Sequence, residues 1–406
     1  MSLFDEGRLE RITEVLKTRY VDSGALPGIL TLIWRKGALR YQGMAGAIDL
    51  ERKRPMRQDV LFRIYSMTKP ITAVALLMLM EEAKIALTDP VDRYIPGFGG
   101  LGVYAGGDLA QGFEKTPCRS PMRVVDLMRH TAGLTYGILN RTRLDEAYRK
   151  LAIAEPSSEG GLAAMIGQLE KLPLEFEPGT AWNYSVASDV VGYLVESLSG
   201  LSFGEFLRRR ILKPLGMIDT DFFVPAEKRE RLAACYYADG GKLKLYDDPE
   251  HSSFAAPPKL ESGGSGLVGT AGDYLKFCRM LLAGGALDGV RLLSPKSVAL
   301  MTMNHLPGGA DMTDIMPATA SFNEAGYSGV GFGLGVAVTT NLAKAALPGT
   351  VGEYFWGGAA STYFFADPKE DMAVVFMTQV LGAPERVRLR RDLRTLVYSA
   401  MTESFA

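Results

Sequence analysis

Cysteine and histidine are scarce in this chain of 406 residues, which has three of each. The cysteines are Cys118, Cys235 and Cys278. They lie far apart in the sequence and form no Cys-x-x-Cys pair. We therefore expect neither a disulfide framework nor a metal site made of thiolates. The histidines are equally scattered, so a histidine-rich metal centre is not expected either. The sequence therefore predicts a protein that uses no metal and no cofactor.

An excess of charge and a long apolar run are also missing. The 45 basic and 46 acidic residues leave a formal net charge of −1, which provides no basic surface for nucleic acid or an anionic membrane. The longest apolar run, residues 71–80, is too short to cross a bilayer and indicates a buried helix. The first residues are charged where a signal peptide needs an apolar core, so we expect a cytoplasmic protein with neither nucleic acid nor membrane as partner.

Strand patterns occur towards both ends of the chain, and helix patterns fill the middle. Residues 28–34 and 39–45 flank the turn signal Arg35-Lys36-Gly37 and predict a hairpin. Further strands are predicted at 332–338, 363–366 and 372–377, and helices at 4–20 and 384–400. This arrangement predicts an α+β fold, with one domain made of residues 1–85 and 262–406 and an inserted, mostly helical domain over 86–261. Residues 97–116 and 306–331 look like long loops.

The sharpest local feature is Ser66-x-x-Lys69, directly before the apolar helix. Residues three apart share a helix face, so the Lys69 amine can reach the Ser66 hydroxyl and act as its base. The helix N-terminus adds free N–H groups that favour developing negative charge. The structural alternative is a helix-capping serine followed by an incidental lysine.

A second serine, Ser202, lies in a Gly-x-Ser-x-Gly pattern, which is typical of a nucleophile on a strand–turn–helix elbow. Here the preceding residues 190–199 are predicted to be a helix ending at Gly200. Glu205 follows Ser202 by three residues, a capping-box spacing, so Ser202 fits better as the N-cap of the next helix. His130 lies where another helix ends, and we interpret it as a structural hydrogen-bonding residue rather than a catalytic one.

Two further segments could complete a site around Ser66. Tyr184 precedes a predicted helix, and a phenol close to a lysine can move a proton, although it could equally be a packed aromatic residue. Gly357 and Gly358 follow an aromatic strand, and glycines there let the backbone approach a ligand. A backbone N–H from this edge could hold an oxyanion together with the N–H of Ser66, or the glycines could simply form a turn.

Together these pieces resemble the serine β-lactamase and penicillin-recognising superfamily, and most closely the class C β-lactamase-like carboxylesterases known as family VIII esterases. The similarity spans about residues 8–398. Besides Ser66-x-x-Lys69 it includes His-Thr-Ala-Gly-Leu (130–134), Glu-Pro-Gly (177–179), Pro-Leu-Gly-Met (214–217) and Gly-Gly-Ser-Gly-Leu (263–267). The resemblance implies an antiparallel sheet flanked by helices, with the site between this sheet domain and the helical domain.

The resemblance also implies roles for individual residues. Ser66 would be the acylated nucleophile, Lys69 its base and Tyr184 the group that assists proton transfer. Trp356, Gly357 and Gly358 would occupy the substrate-binding slot of the superfamily's Lys-Thr-Gly strand, with Ala359 N–H as the second oxyanion donor beside Ser66 N–H.

Departures from the superfamily pattern point to the substrate. Trp356 replaces the lysine that faces the carboxylate of a β-lactam or peptide, which removes a charge-assisted contact of about 1.5–3 kcal/mol. The tyrosine motif reads Tyr184-Ser185-Val186 instead of ending in asparagine. These departures predict a preference for uncharged acyl esters, and the resemblance implies that the protein hydrolyses short-chain acyl esters. An acyltransferase using the same site, a β-lactamase or D-amino-acid peptidase, and an inert penicillin-binding-like module are the alternatives.

Overall fold

A computed structural model describes residues 3–316 and 328–406. The strands, in chain order, are β1 Gly28–Arg35, β2 Ala38–Asp49, β3 Arg54–Pro55, β4 Phe62–Arg63, β5 Gly102–Asp108, β6 Gly112–Pro117, β7 Cys235–Asp239, β8 Lys242–Asp247, β9 Val268–Gly269, β10 Ala286–Leu287, β11 Val290–Arg291, β12 Val330–Phe332, β13 Ala337–Thr339, β14 Tyr354–Gly357, β15 Tyr363–Asp367, β16 Met372–Met377 and β17 Val380–Leu381. The helices are α1 Glu6–Leu16, α2 Thr68–Glu81, α3 Val124–Met128, α4 Arg143–Lys150, α5 Gly161–Leu169, α6 Ala187–Ser199, α7 Phe203–Leu207, α8 Ala271–Leu282, α9 Pro295–Met301, α10 Met312–Ile315, α11 Leu342–Ala345 and α12 Arg386–Ser399.

Strands from the two ends of the chain form one sheet. Its order is β12-β13-β14-β15-β16-β1-β2-β3, and every neighbouring pair is antiparallel. β1 and β16 join the two halves, with Leu30 opposite Met377 and Arg35 opposite Met372. All residues of β15 and β16 are buried, which is typical of strands covered on both faces. The α+β fold with an antiparallel sheet and flanking helices is confirmed, whereas the domain boundaries at 85/86 and 261/262 stay a prediction.

Helix α2 is buried on all sides. Every residue from Thr68 to Leu79 is shielded from solvent, which agrees with the predicted buried helix over 71–80. Its main partner is α6, and α8 packs on β16 across the sheet. A helix of this kind gains its stability from surrounding apolar surface rather than from one amphipathic face. None of the helices in the described ranges is both long and apolar enough to span a bilayer.

Three glycine-containing segments differ from the sequence-based prediction. Most of the expected loop over 97–116 is the hairpin of β5 and β6, turned by Gly107 and Gly112, which have φ angles of 79° and 93°. The single strand expected over 332–338 is two strands, because the chain turns back where Gly333 N donates to Val336 O at 2.8 Å and Gly335 has a φ of 82°. The expected loop over 306–331 contains α10, and its residues 317–327 lie outside the described residues.

A buried arginine fixes the chain immediately before α2. Arg63 is fully buried and its guanidinium donates to Asp247 Oδ2 at 2.6 Å, Ala233 O at 2.6 Å and Ser252 Oγ at 3.0 Å. The backbone N–H of Arg63 donates to Gln379 Oε1 at 3.0 Å. These bonds tie the segment that leads into α2 to three distant parts of the chain.

Replacing Arg63 by methionine is expected to lower the free energy of unfolding by about 3–5 kcal/mol, because Asp247 and the buried acceptors lose their partner. Denaturant unfolding followed by circular dichroism measures the change. The matched control is Arg57→Met, whose ion pair with Asp59 is exposed and should contribute less than about 1 kcal/mol. Equal losses in the two variants would contradict a structural role for the Arg63 network.

Candidate active site

Ser66 lies where a strand gives way to the buried helix α2. It is the middle residue of a single 3₁₀ turn, Tyr65–Met67, which runs directly into α2. Tyr65 has a φ of 42°, a left-handed conformation that residues other than glycine rarely adopt, and it turns the chain sharply before Ser66. Ser66 is partly exposed, whereas Met67 and the first turns of α2 are buried. The serine therefore marks the point at which this helix meets the surface.

The Lys69 amine lies out of water and close to Ser66. Its Nζ donates to Ser66 Oγ at 3.3 Å and to Gly264 O at 2.8 Å, and the residue is 1% exposed. The amine also lies over two aromatic rings, 4.5 Å from the centroid of Tyr184 and 5.5 Å from that of Tyr136. A carbonyl and two ring faces thus replace water around this amine. The structure brings Ser66, Lys69 and Tyr184 together, with the amine over the ring face of Tyr184, and the catalytic roles of the three residues stay predictions.

Tyr184 lies in a loop whose backbone is hydrogen-bonded to the segment after α3. Asn183 N donates to His130 O at 3.0 Å, and Val186 N donates to Thr135 O at 3.1 Å, one bond on each side of Tyr184. These backbone bonds fix the position of Tyr184 in its loop. Tyr184 is 2% exposed, so its ring is enclosed by the protein.

A second tyrosine at the site, Tyr136, was missed by the sequence-based prediction. Its ring forms part of the same cage around Lys69. Burial raises the pKa of Tyr136 well above its usual 10, so the phenol stays protonated at neutral pH. Tyr136 stands two residues beyond the His-Thr-Ala-Gly-Leu motif, and this spacing is the one signal in the sequence that could have identified it.

His130 supports the site from behind. It is 1% exposed, its Nδ1 lies 3.1 Å from Ser185 Oγ, and its ring lies 5.0 Å from the ring of Tyr184. Burial, with the nearby charge of Lys69, lowers the pKa of His130 well below 6.5, so the imidazole is neutral. This placement agrees with the interpretation of His130 as a structural hydrogen-bonding residue.

The turn between β14 and β15 lies against the chain just before Ser66. Ser361 N donates to Gly358 O at 3.0 Å and closes a four-residue turn in which Ala359 is second. In such a turn the internal bond uses the first carbonyl and the fourth N–H, so the Ala359 N–H is not part of it. A Cβ on Gly358 would lie 2.5 Å from Ile64 O, so only glycine permits this approach. The turn therefore contacts Ile64, which lies two residues before Ser66 in the chain.

One cationic side chain contacts this turn, and one indole lies in the strand that leads into it. Arg390, from α12, points its Nη2 at Thr362 O, 3.2 Å away, and at Gly358 O, 3.5 Å away. Trp356, at the end of β14, is 3% exposed and packs against the rings of Tyr184 and Phe332, with centroids 5.5 Å and 5.3 Å apart. Trp356 therefore supports Tyr184, and the roles of Trp356, Gly357 and Gly358 in substrate binding stay predictions.

Ser202 occupies a different structural setting. It is the N-cap of α7, and its Oγ accepts the N–H of Glu205 at 3.2 Å. The residues before it form α6, which ends at Gly200 with a φ of 73°. No strand leads into Ser202, so the nucleophile-elbow alternative is excluded. Within the described residues, no group of three His, Cys, Asp or Glu side chains could hold a metal ion.

Comparisons with known proteins agree with this architecture. A family model described as Beta-lactamase matches residues 15–399. Protein Rv1367c of Mycobacterium tuberculosis is 36% identical over 91% of this chain and 92% of its own length. Esterase EstB of Burkholderia gladioli is 30% identical over 92% of this chain and 91% of its own length. The solved structure of "EstCE1, a hydrolase with promiscuous acyltransferase activity" superposes with a TM-score of 0.80 at 28% identity, covering 97% of this chain and 99% of that one.

The lowered pKa of His130 predicts that the protein loses stability in mild acid. Because the unfolded chain binds a proton near pH 6.5 and the folded one does not, the free energy of unfolding should fall by about 1.4 kcal/mol for each pH unit below 6.5. His130→Asn keeps a hydrogen-bonding group towards Ser185 but cannot titrate, so its stability should fall less between pH 7 and 5. Denaturant unfolding at both pH values measures the difference.

The exposed His251→Asn variant is the control, and it should show the same pH dependence as the parent protein. If the stability of His130→Asn fell with pH as much as that of the parent protein, His130 would have the same pKa in the folded and unfolded chain. That result would contradict its burial beside Lys69.

Proposed function

The chain belongs to the Beta-lactamase family, and we propose that within it the protein is a serine carboxylesterase that hydrolyses short-chain acyl esters. The observation that carries this proposal is the buried Lys69 amine, 3.3 Å from the hydroxyl of a partly exposed serine at a helix N-terminus. A serine hydroxyl becomes an effective nucleophile only when a base takes its proton, and a desolvated lysine amine is suited to that task. The 30% identity to Esterase EstB supports the ester as substrate.

The proposed reaction has two steps on Ser66. Ser66 Oγ attacks the ester carbonyl as its proton passes to Lys69, with assistance from Tyr184. The resulting oxyanion lies between the N–H groups of Ser66 and Ala359, where fixed donors stabilise charge as it develops. The alcohol leaves with a proton delivered through Tyr184, and water then attacks the acyl group on Ser66 and releases the acid.

The groups around the turn support an uncharged substrate. In the superfamily slot for a lysine, this chain has Trp356, packed on Tyr184. Arg390, the cation that contacts the same turn, is directed at the carbonyls of Gly358 and Thr362. A substrate carboxylate would lack the charge-assisted contact of about 1.5–3 kcal/mol that a lysine provides. Esters are therefore expected to react more readily than β-lactams or D-amino-acid peptides.

The activity is tested with p-nitrophenyl butyrate, with nitrocefin measured alongside. Ser66→Ala should abolish enzyme-dependent hydrolysis, and Lys69→Ala should lower kcat/KM by about 10²–10⁴-fold, because the proton has no acceptor. Intact-mass analysis after reaction with an organophosphonate should place one adduct on Ser66.

Ser202→Ala is the matched control. It removes a helix cap, which should lower stability by about 1 kcal/mol and leave the Ser66 adduct and the esterase activity in place. An adduct that maps to Ser202, or that persists in Ser66→Ala, would contradict the assignment. An intact fold that takes no adduct from any acylating probe would favour an inert binding module.

An acyltransferase is the second candidate, because the EstCE1 structure is described as a hydrolase with promiscuous acyltransferase activity. Both functions share the acylated Ser66 and differ in whether water or an alcohol removes the acyl group. We expect free acid to remain the main product when methanol or butanol is added, measured as the ratio of transester to acid by gas chromatography. A ratio dominated by transester at millimolar alcohol would favour the acyltransferase.

A further inference from the structure

A buried carboxylate lies behind Lys69, and no step described so far uses it. Asp189 is in the first turn of α6 and is fully shielded from solvent. Its Oδ1 accepts Ser262 Oγ at 2.5 Å and Gly264 N at 3.0 Å. Aspartate in the first turn of a helix often serves only to cap it. Here the bonds of Asp189 run to Ser262 and Gly264, which lie 73 and 75 residues further along the chain. Gly264 in turn contacts Lys69.

Gly264 connects the carboxylate with the amine. Its carbonyl accepts Lys69 Nζ at 2.8 Å, while its N–H donates to Asp189 Oδ1. A Cβ on Gly264 would lie 2.6 Å from Asp189 Oδ2, and one on Gly263 would lie 2.4 Å from Ser188 O. The two glycines therefore let α6 approach the segment that holds Lys69. Because this region excludes water, charges on either side of Gly264 interact more strongly than they would at the surface.

The titratable groups that face this pair come from two other segments. Tyr136 and His130 follow α3, and Tyr184 precedes α6. The raised pKa of Tyr136 and the lowered pKa of His130 keep both groups neutral at pH 7. For Asp189 itself the pKa is raised, chiefly by burial, although the charge of Lys69 and the bonds from Ser262 and Gly264 oppose this rise. The charge of Asp189 is thus coupled to the charge of Lys69.

We propose that Asp189 is a positioning residue for Lys69 whose carboxylate stabilises the ammonium formed when Lys69 takes the proton of Ser66. The inference rests on the proposed function. As the bond from Ser66 Oγ to the acyl carbon forms, the O–H bond of Ser66 breaks and an N–H bond forms on Lys69. Lys69, which reacts in its unprotonated form, becomes an ammonium that the Asp189 carboxylate stabilises. This is the relation that the aspartate of a Ser-His-Asp triad has to its histidine.

Asp189→Asn tests the charge while preserving the shape, because the asparagine oxygen can still accept from Ser262 and Gly264. The readout is the rate of Ser66 phosphonylation from pH 5 to 10, followed by intact mass. A carboxylate raises the pKa of a neighbouring ammonium, so its loss should move the acid limb of the profile to lower pH by about one unit. The limiting rate should fall about tenfold or more, because the ammonium in the transition state loses its counter-charge.

Asp273→Asn is the matched control. Asp273 is also a buried aspartate in the first turn of a helix, α8, and accepts Asp219 N at 2.8 Å and Thr220 Oγ1 at 3.1 Å. Its variant is expected to lose stability and to keep the midpoint and the limiting rate of the parent protein. A folded Asp189→Asn variant with an unchanged profile would overturn the proposal.

A double-mutant cycle on stability covers the case in which Asp189→Asn does not fold. Lys69→Met and Asp189→Asn each leave one buried charge without its partner, whereas the double variant removes both. The double variant should therefore unfold at a higher temperature than either single variant. Additive losses would overturn the proposal. A parent protein that takes no phosphonate on Ser66 would instead contradict the proposed function, and the stability cycle would still test the Asp189–Lys69 coupling.

Discussion

The position of one amine governs the arrangement of this molecule. For a lysine to take a proton from serine, its Nζ must lie within hydrogen-bonding distance of the hydroxyl and be shielded from water, and burial of a charged group is costly. Here Lys69 meets both demands, because it is carried by the buried helix α2 and faces Ser66 on one side and Gly264 O on the other. Two tyrosine rings close the remaining space. Several contacts in the surrounding structure hold these partners of Lys69 in place.

Apart from Ser66, the partners of Lys69 come from distant parts of the chain. Arg63 ties the approach to α2 to residues near 233, 247 and 379. The segment after α3 is bonded on both sides of Tyr184, and α12 supplies Arg390 to the turn that carries Ala359. The two halves of the proposed oxyanion site meet where Gly358, in the turn after β14, lies against Ile64 O, two residues before Ser66 in the chain. The fold therefore assembles the site at a junction of segments that are far apart in sequence.

How far the sequence predicts this site depends on the range of the interactions involved. The contact between Ser66 and Lys69 is a spacing of three along one helix, and Ser202 was recognised as a cap from an equally local pattern. Tyr136 and Gly264 lie in or next to motifs of the resemblance and Asp189 does not, but no local pattern predicts the contacts of these three residues, because those contacts arise from packing between segments. The two strands at Val330–Phe332 and Ala337–Thr339 were merged in the prediction for a related reason: the glycines between them continue an apolar run and yet turn the chain back.

The most direct test of this account is a crystal structure of the protein after reaction with an organophosphonate ester. The account predicts phosphorus bonded to Ser66 Oγ, with its non-bridging oxygen about 2.7–3.1 Å from both Ser66 N and Ala359 N, and Lys69 Nζ beside the modified oxygen. Phosphorus bonded to another side chain, or an oxygen directed away from the Gly358 turn, would contradict it.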